Sequence, residues 1–347
     1  MMKFFTSCAL WLGLGVIGLT QTYRLNELVL PRGSSGFARG LNIDGAAAGS
    51  AGETHGTDMS AAVWDKGGHP ANIGRLPGGD YSEAFAINDK GEVVGSSNVA
   101  GVLKPFRFSG SMVALELPSG DDAGQANAIN NTGVSAGWSS GAGGQHAVLW
   151  TSSGATVLPG RLGMALALNA KNVPAGSSQD GGVEHAVVWT NGQASDLGTL
   201  VGDTESRAVG INDGGQVVGY SRGAAGQHAF FYDGTTMKDL GVLGGTDYSE
   251  ASAINNKGVV VGTTDTNLGK HAFLWTAEKG MVDLNTLVPS AQRVVLTAAL
   301  AINDRGQILA IGSPDHNPNS NKYDVYDHTS HAGVVRVYLL TPATTTQ

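Results

Sequence analysis

Short apolar runs recur along the chain and are separated by polar turns that contain glycine. One kind of run is rich in alanine and ends at an asparagine, as in Ala84-Phe85-Ala86-Ile87-Asn88 and Ala251-Ser252-Ala253-Ile254-Asn255. A turn follows, such as Asn88-Asp89-Lys90-Gly91, Asn212-Asp213-Gly214-Gly215 or Asn303-Asp304-Arg305-Gly306. There the Asx side chain can bond the backbone ahead of it and glycine supplies positive φ. The second run is β-branched, Val93-Val94-Gly95, Val217-Val218-Gly219 or Val259-Val260-Val261-Gly262, and suits a pleated surface. The third begins at histidine and ends at an aromatic residue: His146 to Trp150, His185 to Trp189, His228 to Tyr232 and His271 to Trp275. Weaker versions are Ala61 to Trp64 and Pro105 to Phe108. The last is an Asp-Leu-Gly-x-Leu segment, clearest at Asp196 to Leu200 and Asp239 to Leu243. The pattern predicts units of four short strands, named a to d in chain order.

The asparagine that ends strand a returns as Asn42, Asn88, Asn130, Asn169, Asn212, Asn255 and Asn303, at spacings of 46, 42, 39, 43, 43 and 48 residues. A four-stranded propeller blade is about 40 to 45 residues in WD-type repeats. Unit seven supplies strand a before Asn303, strand b from Gln307 to Ile311 and strand c from Val335 to Leu340, and lacks a strand d. The segment Arg24 to Pro31 reads as a strand d and precedes the first strand a. An N-terminal outer strand that completes the last blade closes the ring and removes the exposed edge of an open array. The expected fold is therefore all-β: a seven-bladed β-propeller of four-stranded blades over residues 21–347, closed by its N-terminal strand. The fourth unit is the most degenerate, with Asn172 in place of the turn glycine and Pro174 in strand b. Proline cannot donate to a ladder, so a weakened strand is expected there.

Composition agrees with many short strands and turns: 52 of 347 residues are glycine and 14% are charged. A formal net charge of -8 without a basic cluster argues against nucleic acid as a partner. Residues 1–20 carry Lys3 and then an apolar stretch from Phe4 to Leu19, the layout of a secretory signal and short for a membrane span. Cleavage after Thr20 would leave a mature chain with no membrane span, located in the periplasm, at the cell surface or outside the cell. Cys8, the only cysteine, would leave with the signal, so stability must come from core burial and ladder hydrogen bonds. A monomer is the expected state.

Three motifs in fixed order, His271 to Trp275, Asp239 to Gly245 and Ile211 to Gly219, make the chain resemble the HAF-repeat family of bacterial extracellular proteins. The resemblance implies a repeat scaffold and a secreted location, and no defined activity or catalytic residue to carry over.

Among residues that repeat, the histidines at 146, 185, 228 and 271 read as structural, because strand c lies third from the axis and a buried imidazole needs a hydrogen-bond partner anyway. The asparagines read as turn chemistry, and Trp64, Trp150, Trp189 and Trp275 as packing between blades. The segments between strand d and the next strand a are more promising, since they line the mouth. They hold Asp80, Tyr81 and Glu83; Asp121, Asp122 and Gln125; Asp203, Glu205 and Arg207; and Asp247, Tyr248 and Glu250. Carboxylates and aromatic faces in a ring can bind a polyhydroxyl, cationic or metal-bound ligand. The long loop from Ser313 to Gly333 adds Asp315 and His316, and Asp324, Asp327, His328 and His331 as candidate metal ligands. No resident cofactor is otherwise implied, and no nucleophile elbow, phosphate loop or dinucleotide fingerprint is present in the sequence.

The leading expectation is a non-enzymatic extracellular module that binds a glycan, matrix or protein partner through the propeller mouth. The alternatives are an extracellular hydrolase or lyase with a carboxylate or metal centre at that mouth, and a purely structural envelope or matrix component.

Overall fold

The computed structural model describes residues 21–30, 34–53, 59–289, 293–314 and 336–343. The proposed signal segment and the metal-ligand candidates Asp324, Asp327, His328 and His331, with Asp315 and His316, lie outside them. Seven antiparallel sheets of four strands each account for the described strands. Six follow the chain in the order a-b-c-d; the seventh consists of Val294–Ile302, Ile308–Pro314 and Arg336–Pro342, with Tyr23–Glu27 as its outer strand. The N-terminal strand pairs Tyr23 with Pro342 and Glu27 with Tyr338. Of the expected Arg24 to Pro31, Pro31 lies outside the described residues and strand pairing ends at Glu27, after which Leu28 stays buried and donates its N–H to the Val337 carbonyl at 2.9 Å.

The strands a form the inner ring. Strand a of each blade packs against strand a of the next, and that of blade 7 packs against that of blade 1. Buried apolar residues gather in seven clusters, one between each pair of adjacent blades. The cluster of Ala38, Ala47, Trp64, Leu309 and Leu339 joins blade 7 to blade 1. A closed ring of similar interfaces is how a chain without disulfides buries enough surface to be stable.

The two repeat glycines have separate causes. Gly91, three residues after its anchor, has φ 78° and so needs a residue without Cβ. Gly95, seven after the anchor, has an ordinary backbone, yet a Cβ there would meet the Glu83 carbonyl oxygen at 1.9 Å. Strand a bulges beside it, with a register shift between Ala84 and Ala86. All seven blades carry that bulge at the position three before the anchor.

Blade 4 has the expected defect. Its strand b, Pro174–Ser178, has five residues where that of blade 2, Val93–Val99, has seven. Asn172 takes the turn glycine's place with φ 60°, and asparagine tolerates that region better than other side chains.

The Asp-Leu-Gly-x-Leu segments are turns more than strands. Strand d is Gln193–Asp196 in blade 4 and Met237–Asp239 in blade 5, so each segment starts where its strand ends. The Asp196 and Asp239 carboxylates accept the N–H groups of Gly198 and Gly241, both at 2.7 Å, and fold the chain towards the next blade. The short 3-10 turns Asp180–Gly182 and Leu284–Leu287 are the helical elements among the described residues, and no helix there is long and apolar enough to cross a membrane.

Candidate functional site

The residues expected in loops at the mouth lie largely on the inner strands. Asp80, Tyr81 and Glu83 belong to strand a of blade 2 (Gly79–Ile87), Asp121, Asp122 and Gln125 to that of blade 3 (Asp121–Ile129), and Asp203, Glu205 and Arg207 to that of blade 5 (Asp203–Ile211). In blade 6 the strand Ser249–Ile254 holds Glu250, with Asp247 and Tyr248 just before it. Strand alternation then sorts them. Ser82, Ala84, Ser206, Ala208, Ser249 and Ala251 are buried against the neighbouring blade, while Tyr81, Gln125, Glu205, Arg207, Tyr248 and Glu250 on the other face keep partial exposure. Asp80, Asp122 and Asp247 are exposed at the rim.

Two groups of side chains result. In blades 1 and 2 the Tyr81 hydroxyl donates to Glu83 Oε2 at 2.7 Å, and Arg39 Nε lies 3.2 Å from Glu83 Oε1. That contact is ionic and poorly directed, and Oε1 is buried without a hydrogen-bond partner among the described residues. Burial pushes the Glu83 carboxyl above the usual range, although Arg39 and Tyr81 pull the other way. Burial, reinforced by the adjoining carboxylate, also raises the Tyr81 phenol.

The second group spans blades 4 to 6. Glu184 accepts from Arg207 Nε and Nη2, both at 2.8 Å, and the Arg207 guanidinium lies 5.8 Å from the Tyr220 ring centroid. The Tyr248 hydroxyl donates to Glu250 Oε2 at 2.9 Å, and Gln227 Nε2 lies 3.3 Å from the same oxygen. Lys270 Nζ sits 3.9 Å from the centre of the Tyr248 ring. Thus Tyr81-Glu83 and Tyr248-Glu250 are the same device in blades 2 and 6, with an arginine beside the first and a glutamine beside the second. Glu205 is paired with Arg222 on strand b of its own blade.

The remaining candidates are not gathered in. Lys104 donates to the Asp122 carbonyl, the Asp247 carbonyl accepts from Gln227 N, and Gln125 bonds Asn127 at 2.7 Å. Among the described residues no three histidine, cysteine, aspartate or glutamate side chains are grouped to hold a metal ion.

The repeated residues serve the scaffold. His185, His228 and His271 pair through Nδ1 with Asp196, Asp239 and Asp283 on strand d of their own blades, at 2.8, 2.8 and 2.7 Å. In blade 3, Val157 stands at the aspartate's position beside His146. Trp64, Trp150 and Trp189 are buried between blades and donate to the carbonyls of Val29, Glu116 and Pro159.

Sequence reasoning passed over Arg39, Glu184 and Tyr220. Arg39 occupies the bulge position of blade 1, whose counterparts are Phe85, Asn127, Leu166, Val209, Ser252 and Leu300. Counting back three from each anchor would have found this ring, since a bulge re-aims its side chain. Glu184 and Tyr220 carry no local signal of the kind: one is in an irregular loop, the other in a strand b where other blades place different residues.

No curated protein matches the sequence. Among solved structures, virginiamycin B lyase from Staphylococcus aureus is similar at 15% identity, with 92% of this chain and 99% of that one covered and a TM-score of 0.56. The β-propeller domain of the trilobed protease from Pyrococcus furiosus, which has an open velcro topology, is similar at 9% identity over 90% and 96% of the two chains, with a TM-score of 0.56. An acylaminoacyl peptidase from Pyrococcus horikoshii is similar at 10% identity over 93% of this chain and 54% of its own, with a TM-score of 0.54. Identities this low speak for the propeller fold alone. One family pattern matches residues 161–346, more than half of the chain, and the chain therefore belongs to the family described as "Protein of unknown function (DUF3466)".

Proposed function

We propose that the protein is a secreted HAF-repeat propeller that binds an extracellular glycan on the mouth end of its inner strands. The observation that carries this reading is the recurrence of one tyrosine-glutamate pair in blades 2 and 6, each with its hydroxyl-to-carboxylate bond, on strands held rigid by the ring. A carboxylate accepts sugar hydroxyls, and Phe37, Phe85, Tyr220 and Tyr248 nearby, each with a cation packed over its ring, supply the aromatic surface usual in ligand sites. Rigid inner strands lower the entropy that binding must overcome. The signal-like segment 1–20 and the recurring His-Ala-Phe motif support the extracellular setting.

A second reading, hydrolysis or elimination of a polysaccharide, has one observation in its favour. The buried Glu83 carboxyl with its raised pKa has the character of a general acid. The metal variant of that reading depends on Asp324, Asp327, His328 and His331. A glycan array probed with residues 21–347, followed by product analysis on any glycan retained, tests both. Retention without cleavage is the expected result. Cleavage would replace binding by catalysis, and failure to retain any glycan would remove the reading altogether.

A further inference from the structure

The ring of bulge residues contains one charged side chain. Blades 2 to 7 contribute Phe85, Asn127, Leu166, Val209, Ser252 and Leu300, and blade 1 contributes Arg39. The Arg39 guanidinium carbon lies 5.1 Å from the Phe37 ring centroid and 5.5 Å from that of Phe85, so the cation packs over two aromatic rings. Its Nε edge faces Glu83 at 3.2 Å. Neither terminal amino group has an acceptor among the described residues, and the side chain is 48% exposed although it stands on an inner strand.

Blade 5 shows how a guanidinium is satisfied when a carboxylate is at hand. Arg207 gives both Nε and Nη2 to Glu184, and its side chain is 33% exposed. Arg222 is likewise taken by Glu205. Arg39 has the same planar fork, packed over two rings, and its terminal amino groups meet no acceptor among the described residues.

Resting on the reading of the mouth as a glycan site, we propose that Arg39 is its specificity-determining residue, taking the carboxylate of an acidic sugar in a two-point hydrogen bond. A guanidinium fork matches a planar carboxylate in geometry and charge. Beside Glu83 the described residues place one guanidinium whose terminal amino groups have no acceptor, which suits one planar anionic group at this point better than a densely charged polyanion. Phe37 and Phe85, over which the guanidinium packs, add aromatic surface beside that carboxylate, and Asn127 in blade 3 lies next along the ring of bulges.

Arg39→Lys keeps the charge and loses the fork; Arg39→Met loses both and keeps the apolar stem. Wild type and both variants, checked for unchanged thermal midpoint, are titrated with trigalacturonate, its methyl ester, and a neutral hexose trisaccharide, and probed on an array that includes sialylated and sulfated glycans. The expected result is retention of carboxylated glycans, at least tenfold weaker binding after esterification, and a loss of tenfold or more in both variants. Equal binding of acid and ester, preference for sulfated glycans, or variants that bind as wild type does would overturn the role of Arg39 and leave glycan binding standing. Absence of binding to every glycan would overturn both.

Discussion

Asn303 Nδ2 donates to the carbonyl oxygen of Asn42 at 2.8 Å, across 261 residues of sequence. The same bond links Asn42 to Asn88, Asn88 to Asn130, Asn130 to Asn169, Asn169 to Asn212, Asn212 to Asn255 and Asn255 to Asn303. The anchor asparagines thus form an unbroken circle. Each is buried, and its Oδ1 accepts one or two backbone N–H groups of its own turn, for Asn303 those of Arg305 and Gln307 and for Asn212 that of Gln216. One side chain shapes the turn with its oxygen and ties the blades with its nitrogen.

A closed circle has no weak link. Asn303→Ala at the seam and Asn130→Ala between blades 3 and 4 should therefore destabilise by similar amounts, each about 1–3 kcal/mol for the bonds lost and the groups left unsatisfied. Asn303→Asp keeps the turn acceptors but turns a carboxylate towards the Asn42 carbonyl, and should cost at least as much. Urea unfolding of the three variants checks this. A seam substitution much milder than the internal one would mean that the ring opens there.

Deletion of residues 23–27 should expose the edge of strand Arg336–Pro342 and uncover Tyr338 and Leu340, which are 4% and 0% exposed. An unpaired apolar edge invites association. Light scattering on the truncated protein should show aggregation that a synthetic peptide of residues 21–30, added in excess, suppresses. A monodisperse, folded truncation would argue against strand closure as the source of stability.

The histidine-aspartate pairs should rank by exposure. The side chains of His271, His228 and His185 are 11%, 28% and 32% exposed. His271→Ala should cost about 1–3 kcal/mol, as for a buried hydrogen bond to a charged group, and the other two less than about 1 kcal/mol. His146→Ala, with Val157 in the aspartate's place, should cost least. Burial would raise the Asp283 carboxyl, but the bonds from His271 and Asn285 outweigh it and hold it below its ordinary value. Its contribution is therefore present above the unfolded pKa and lost as pH falls through the folded one. Chemical denaturation of the alanine series at two acidities measures both effects.

Glu83 has the opposite sign. Burial raises its folded pKa, so its contribution is complete below the unfolded value of about 4.3 and is lost as pH rises through the folded value. Glu83→Gln keeps an acceptor for the Tyr81 hydroxyl and removes the titration. The thermal midpoint of the variant should gain on wild type as pH rises from the acid side towards neutrality. Parallel curves would show that Glu83 ionises in the fold as readily as in water.

The fold was legible because its determinants repeat. The anchor asparagine, the turn glycine at Gly91 and the glycine at Gly95 that clears the Glu83 carbonyl are local requirements renewed in nearly every blade. The seam followed from a strand missing at one end and present at the other. What the sequence hid is set by relations between blades. The reach of Asn42 to Asn88 has no signal beyond the repeat itself, and the candidate acids sit on strands because strand a begins earlier than its apolar part suggests. Arg39 departs from its repeat position, where the other blades carry uncharged residues, and its partners Phe85 and Glu83 belong to the next blade. Such a site can be found only once the strands are laid side by side.

On the proposed function, ligand is held by the inner strands at the mouth. Calorimetric titration of the glycan retained most strongly, against Glu83→Gln, Glu250→Gln and the outer-strand control Gln193→Ala, tests it most directly. Gln193 is exposed on strand d of blade 4. Affinity at least tenfold weaker in both glutamate variants, about 1.4 kcal/mol or more, with the control unchanged, is the predicted result. Glutamate variants that bind as wild type does, or a control that fails instead, would place the site elsewhere and contradict the account.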